Sequence, residues 1–267
     1  MSDATLYILF VSTCAAYTLS CIAWFVLLGT GRSGAQKLAA RSLQGAAILH
    51  VGFLIEDAHH HTQLGDIRQM LTVGALAIVA AHLIAMHFGK LAVLGAFVTP
   101  IGFLMFLAGG LGHSVPNVPE DVRSLLLPVH VLVNVLGLAA FTLAFAVASA
   151  YLIQERLLRR RRISGLFTRL PPLDVLDSLG LKLLLVGFPL FTAGSVSGAI
   201  WAAKLPISLT ATQVLGLVAW AVFATVLLLR VAAGWQGKRA AIGTLVGFAC
   251  ALCVLVGYAL RSTGGAL

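Results

Sequence analysis

The sequence predicts an all-α membrane protein, a bundle of eight transmembrane helices with both termini outside. Of its 267 residues, 60% are hydrophobic and only 10% are charged, and the mean hydropathy is +1.00. A water-soluble surface needs far more charge than this. Since a span needs about 20 apolar residues, we expect one integral-membrane domain over 1–267 with short loops. Its spans are predicted at about 5–29, 38–57, 69–89, 92–112, 126–155, 176–203, 208–231 and 240–261.

The basic residues predict the orientation of this bundle. If the N-terminus lies outside, 14 of the 18 Lys and Arg residues fall on the inner side, and only Arg68, Arg123, Lys204 and Arg261 fall on the outer side. The positive-inside rule then places both termini on the outer side of the membrane, which we expect to be the periplasmic side of a bacterial inner membrane. The net charge of +9 is therefore a topology signal that also suits anionic membrane lipids, and it gives no reason to expect nucleic acid as a partner.

A proline and a histidine stand at the start of the fifth predicted span. Pro128 suits the first turn of a helix, where its missing N–H is not needed, and it keeps His130 near the outer surface. Asn134 and Gly137 follow at i+4 and i+7 and share the face of His130. That face offers a nitrogen ligand, a polar group and a gap, which suits a flat cofactor. The alternative is that His130 lies at the membrane interface among lipid headgroups and that Gly137 only lets another helix pack closely.

The other membrane histidines are less informative by themselves. His50 lies seven residues before Asp57, roughly 10 Å of helix, and so sits below the interface, where an ionisable group needs a reason. His82 is also deep; it either bonds to a neighbouring helix or belongs to a second, inner cofactor site. The tract from His59 to His61 lacks a second ligand cluster with metal-site spacing, so a solvated loop is favoured over a metal site.

We do not expect an enzyme. The spans contain no Ser/His/Asp grouping, no paired carboxylates and no phosphate-binding glycine loop. Asp174 and Asp177 fall at a predicted helix start, where capping explains them. Cys250 and Cys253 form a CxxC inside an apolar run, where the reactive thiolate is disfavoured, and we interpret them as packing residues.

Three segments of the C-terminal half resemble the cytochrome c assembly protein superfamily. They are LPPLDVLDSL at 170–179, VGFPLFTAGSVSGAIWA at 186–202 and GWQGKRAA at 234–241. The resemblance covers about 125–250 and extends to the haem-handling CcsA, ResC, CcmC and HemX-like groups. The haem exporters carry a tryptophan-rich loop after the AIWA segment, and here the residues 202–209 replace it. The chain therefore looks most like the HemX-like or YpjD-like branch.

The resemblance also implies a cofactor and its ligands. The positions that match membrane histidines of that branch are His50 and His130, which makes them candidates for the two axial ligands of one b-type haem iron in the outer half of the bundle. We expect Arg123 to pair with the haem propionates, with Arg68 and Lys204 as alternatives. The implied function is haem handling, haem transport or cytochrome c biogenesis, with haem and other assembly proteins as partners.

Two other functions remain open from the sequence. The basic cytoplasmic stretch from Arg156 to Arg169 suits a regulator that docks a soluble enzyme of tetrapyrrole synthesis. A transporter of another small molecule would use paired broken helices, for which Pro100 and Pro189 are a weak pair.

Overall fold

The computed structural model describes residues 3–60, 67–87, 91–112, 126–163, 165–202 and 211–262, and every regular element in these ranges is helical. Eight of the described helices are long and apolar enough to cross a membrane, which confirms the all-α class and the eight predicted spans. The remaining helix, α6, has four residues. The helices are α1 (Asp3–Thr30), α2 (Ser33–His60), α3 (Ile67–Ala85), α4 (Gly95–Leu111), α5 (Leu126–Arg159), α6 (Leu166–Arg169), α7 (Leu173–Ala202), α8 (Ala211–Ala232) and α9 (Lys238–Ser262).

The helix bounds differ from the predicted spans mainly at polar ends. Helix α5 has 34 residues, well beyond the 20 or so that a bilayer requires, and it begins with Pro128 in its first turn as expected. Helix α3 stops at Ala85, before the predicted end of its span. A short 3₁₀ turn (Ala92–Leu94) then leads into α4. Apolar patterning locates a span well, whereas its ends depend on capping and tertiary contacts.

The spans alternate in direction, so the bundle has two chemically distinct ends. We call the end at which α1 begins the N-terminal end, and the opposite end, which carries residues 156–162, the arginine end. Helices α1, α3, α5 and α8 run towards the arginine end, and α2, α4, α7 and α9 run back. Helix α5 packs along α7, α1 along α2, α3 along α4 and α8 along α9, while α3 also contacts α5.

Two aromatic clusters fill the interior. Trp24, Phe53 and Phe106 belong to the larger cluster, which is contributed mainly by α1 to α5. In the smaller cluster the rings of Phe141 and Phe223 stack with their centroids 3.9 Å apart. Small residues let the backbones around these rings approach closely.

Two ion pairs link the helices, one near each end; the first is buried and the second joins a buried arginine to a partly buried aspartate. Asp57 of α2 binds Arg68 of α3 at the N-terminal end, and Arg230 of α8 binds Asp177 of α7, with Nη2 3.1 Å from Oδ2, at the arginine end. The Gly237 N–H donates to Oδ1 of Asp177 at 2.9 Å. Capping is therefore the wrong explanation for Asp177, because its carboxylate ties α7 to α8 and to the turn before α9.

Candidate functional site: two histidines near the N-terminal end

His50 lies on α2 in a fully buried aromatic pocket. Its Nδ1 is 2.9 Å from the hydroxyl of Tyr17 on α1, and its ring meets Phe106 of α4 edge-on with centroids 4.4 Å apart. The backbone of Thr72 on α3 also faces the imidazole, yet Nε2 is buried without a hydrogen-bond partner of normal geometry. Such a nitrogen costs roughly 1–3 kcal/mol if nothing satisfies it. It is therefore a plausible position for a ligand.

His130 lies at the start of α5 and is held by α7. Its Nδ1 is 2.8 Å from the Ser197 hydroxyl, and that hydroxyl also lies 2.9 Å from the carbonyl oxygen of Gly194, to which it donates. A Cβ on Gly198 would come within 3.2 Å of Cε1 of His130, so the imidazole rests directly on the α7 backbone. The polar and small residues of α7 thus form a cradle for this ring.

Asn134 and Gly137 share the face of His130, as the sequence predicts. The Asn134 side-chain amide donates to the carbonyl oxygen of His130 at 2.7 Å and packs so closely on Gly194 that a Cβ there would collide with it. A Cβ on Gly137 would lie 3.3 Å from the backbone nitrogen of Phe191. The gap at Gly137 is therefore occupied by α7, which is the helix-packing role that the sequence left open.

The two histidines have different helical surroundings. His50 is surrounded by α1, α3 and α4, whereas the neighbouring helix at His130 is α7. Helix α3 packs against both α2 and α5. Arg123 and Lys204, two of the residues expected to pair with propionates, lie outside the described residues, and Arg68 is engaged with Asp57.

An apolar groove borders Ser197 on the surface of α7. It has a volume of about 630 Å³ and is lined by residues such as Phe188, Thr192, Val196 and Ile200. An apolar surface of that size thus adjoins the cradle of His130.

The remaining histidines lie elsewhere. His82 is fully buried near the arginine end, where its ring meets Trp24 edge-on with centroids 5.6 Å apart. His59 is exposed at the end of α2 and its Nδ1 is 2.6 Å from the carbonyl oxygen of Ile55, while His61 lies outside the described residues. Among the residues that the structure describes, no three His, Cys, Asp or Glu side chains form a metal-binding group.

Sequence reasoning missed two residues of this site, Tyr17 and Ser197. Ser197 lies within the segment 186–202, which in the sequence supports only the family resemblance, and Tyr17 lies in the first predicted span, which sequence reasoning did not single out. The sequence does show that both residues carry a hydroxyl group inside a predicted span, where a polar group needs a partner. Which partner it finds depends on helix packing.

The fold and site define a class: a polytopic helical membrane protein that buries hydroxyl-supported imidazoles between its spans. The chain belongs to the cytochrome c assembly protein family, whose model matches residues 64–265. It is similar to proteins named cytochrome c biogenesis protein CcsA. The relative from Gloeothece citriformis is 26% identical, covering 89% of this chain and 87% of its own length. The relative from Mesostigma viride is 28% identical, covering 77% of this chain and 78% of its own length. The relative from Synechocystis sp. is 26% identical, covering 98% of this chain and 96% of its own length.

Proposed function

We propose that this protein is a haem-binding component of cytochrome c assembly that holds b-type haem through His50 and His130. The observation that carries the proposal is that each imidazole has a hydroxyl at Nδ1, Tyr17 at 2.9 Å and Ser197 at 2.8 Å. Histidines that ligate metals commonly engage their second nitrogen in this way, since the bond orients the ring. Family membership supports haem as the cofactor.

The residues of the site fit haem in three respects. The buried Nε2 of His50 lacks a hydrogen-bond partner, the walls around it are aromatic, and the groove beside Ser197 offers an apolar surface next to His130. When bound, haem would supply an iron that accepts imidazole nitrogens, and His50 and His130 would hold it. Tyr17 and Ser197 would orient the two rings, and the phenylalanines around His50 would exclude water.

Binding of one haem iron by both histidines would have a structural consequence that can be measured. Helix α3 contacts both α2 and α5, and we expect these contacts to change if the two imidazoles bind one macrocycle. A spin-label pair on α2 and α5, at the lipid-facing Ile48 and Leu132, measures this: haem should shorten the distance between the labels.

The direct test is spectroscopic. Purified with haem supplied, the protein should give a six-coordinate low-spin spectrum that is lost in His50→Ala and in His130→Ala. His87→Ala is the matched control, because this imidazole is exposed and its Nδ1 lies 2.9 Å from the Leu83 carbonyl oxygen of its own helix turn. No haem, or a low-spin spectrum that survives both site variants, would overturn the proposal.

We further propose that the N-terminal end faces the periplasm of a bacterial inner membrane and that the protein acts without catalysing a reaction. Docking of a soluble assembly or tetrapyrrole-synthesis protein is a second candidate, favoured by the arginine end. There the stretch from Arg159 to Arg162 is exposed, and Arg161, two residues after the end of α5, has a positive φ of 53°. Replacing these arginines by glutamate should abolish co-purification of the partner and leave the haem spectrum unchanged.

A further inference from the structure

We propose that Ser197 is a positioning residue that sets the tautomer of His130, keeping the ring proton on Nδ1 and the basic lone pair on Nε2. Its importance for cofactor binding rests on the proposed function, because it matters there only if His130 ligates iron. The hydrogen bonds themselves lie within the protein. They are therefore testable without haem.

The direction of the hydrogen bonds follows from counting protons. A serine hydroxyl has one hydrogen, and the Ser197 hydroxyl donates it to the carbonyl oxygen of Gly194 at 2.9 Å. Towards His130, the hydroxyl then presents only oxygen lone pairs. At 2.8 Å from that oxygen, Nδ1 keeps both hydrogen bonds intact only as the donor, with the ring proton on it.

The Ser197 hydroxyl, 2.8 Å from Nδ1, therefore favours the tautomer with a protonated Nδ1. A neutral imidazole with its proton there has its lone pair on Nε2.

The side-chain amide of Asn134 does not influence which ring nitrogen of His130 carries the proton. Its nitrogen is 3.4 Å from Nδ1 and 3.3 Å from Nε2 of His130. A point nearly equidistant from both ring nitrogens at that range lies over the face of the ring, away from the in-plane lone pairs. The well-formed bond of this amide is the one to the His130 carbonyl oxygen at 2.7 Å.

The His130 imidazole is therefore already in the form that binds a metal. A metal binds the unprotonated nitrogen, so a ring already in this tautomer needs no proton transfer before it ligates iron. The tautomer of His50 is not set in this way, because the Tyr17 hydroxyl that faces its Nδ1 can either donate or accept a hydrogen bond. Ser197 therefore distinguishes the two histidines: it makes His130 the one whose ligating form is set by its surroundings.

The test uses ¹⁵N-histidine NMR on the haem-free full chain, with His130 assigned from the His130→Gln spectrum. We expect a protonated Nδ1 in the unmodified protein and in Ser197→Thr, and a mixed or reversed tautomer in Ser197→Ala. Ser195→Ala is the matched control on the same helix, since the Ser195 hydroxyl bonds the Phe191 carbonyl oxygen at 2.8 Å. An Nε2–H tautomer in the unmodified protein overturns the inference even if a variant fails to fold, as does an unchanged tautomer in Ser197→Ala.

Haem titration separates this inference from the proposed function. Loss of an outer-sphere partner typically weakens metal affinity roughly 10- to 100-fold, so Ser197→Ala should lose haem affinity by about that factor, with Ser197→Thr restoring it. An altered tautomer with unchanged haem affinity would overturn the ligand role of His130 and support the positioning role of Ser197. Failure of the unmodified chain to bind haem would overturn the proposed function, and the NMR result alone would then decide on Ser197.

Discussion

The Tyr17 hydroxyl and Nδ1 of His50 lie 2.9 Å apart, and both side chains are fully buried. The bond joins α1 to α2 inside a layer of phenylalanine rings that includes Phe103 and Phe106. In such surroundings a polar group without a partner is costly. The pair therefore specifies how α1 and α2 meet as well as how the imidazole is oriented.

Tyr17→Phe should weaken both the bundle and the haem site. The variant leaves Nδ1 of His50 buried without its hydroxyl, which costs about 1–3 kcal/mol, and frees the ring to turn. We expect a lower midpoint of unfolding in detergent and a shifted reduction potential of bound haem. Tyr7→Phe is the control, because Tyr7 lies on the same helix and is 69% exposed; equal effects of the two variants would contradict a special role for Tyr17.

Asp177→Ala should lower the free energy of unfolding much more than a substitution that removes an exposed ion pair. The change leaves the buried Arg230 guanidinium without its carboxylate and removes the acceptor for the Gly237 N–H, which we expect to cost roughly 3 kcal/mol. Glu155→Ala breaks the pair with Arg159, whose side chain is 72% exposed, and should cost less than about 1 kcal/mol. Unfolding midpoints of both variants in a denaturing detergent series measure the difference, and a cost for Asp177→Ala no larger than that for Glu155→Ala would refute it.

Gly137→Val should separate α5 from α7. A Cβ at Gly137 would already lie 3.3 Å from a backbone nitrogen of α7, and the two further carbons of valine have no space, so we expect a loss of at least 1 kcal/mol of stability. Gly216→Val is the matched control, since nothing lies within 4 Å of a Cβ there. If the two variants unfold alike, the close approach of α5 and α7 at Gly137 is not as described.

Added imidazole should rescue His130→Gly at lower concentration than His50→Gly. His130 is partly exposed and four residues into its helix, whereas His50 is fully buried under aromatic rings. A small base therefore reaches the first cavity more easily than the second. The return of the low-spin spectrum over an imidazole titration measures this, and equal midpoints would show that burial does not limit access.

The orientation can be tested by cysteine labelling. In a background without the four native cysteines, Ala4→Cys should react with a membrane-impermeant maleimide in intact cells, and Ile163→Cys should react only after lysis. Both positions are exposed, so their difference reports the side of the membrane. The reverse pattern would invert the topology that the positive-inside rule predicts.

The sequence by itself determined the class of this protein and the number of its spans. Hydrophobic length is a local property: about 20 apolar residues must cross a bilayer whatever their neighbours are. The same holds for Pro128 at the start of α5 and for the shared face of His130, Asn134 and Gly137, because both follow from helical periodicity. The motifs of α7 and of the turn before α9 likewise indicated the family.

Only the tertiary structure decided which polar groups meet. Ser197 is 67 residues from His130, Tyr17 is 33 residues from His50 and Gly237 is 60 residues from Asp177. No local pattern records such pairings, since they depend on which helices pack together and at what height. That is why the sequence predicted a helix cap at Asp177 and no role for Ser197, whereas in the packed bundle the Asp177 carboxylate joins three segments and the Ser197 hydroxyl contacts an imidazole.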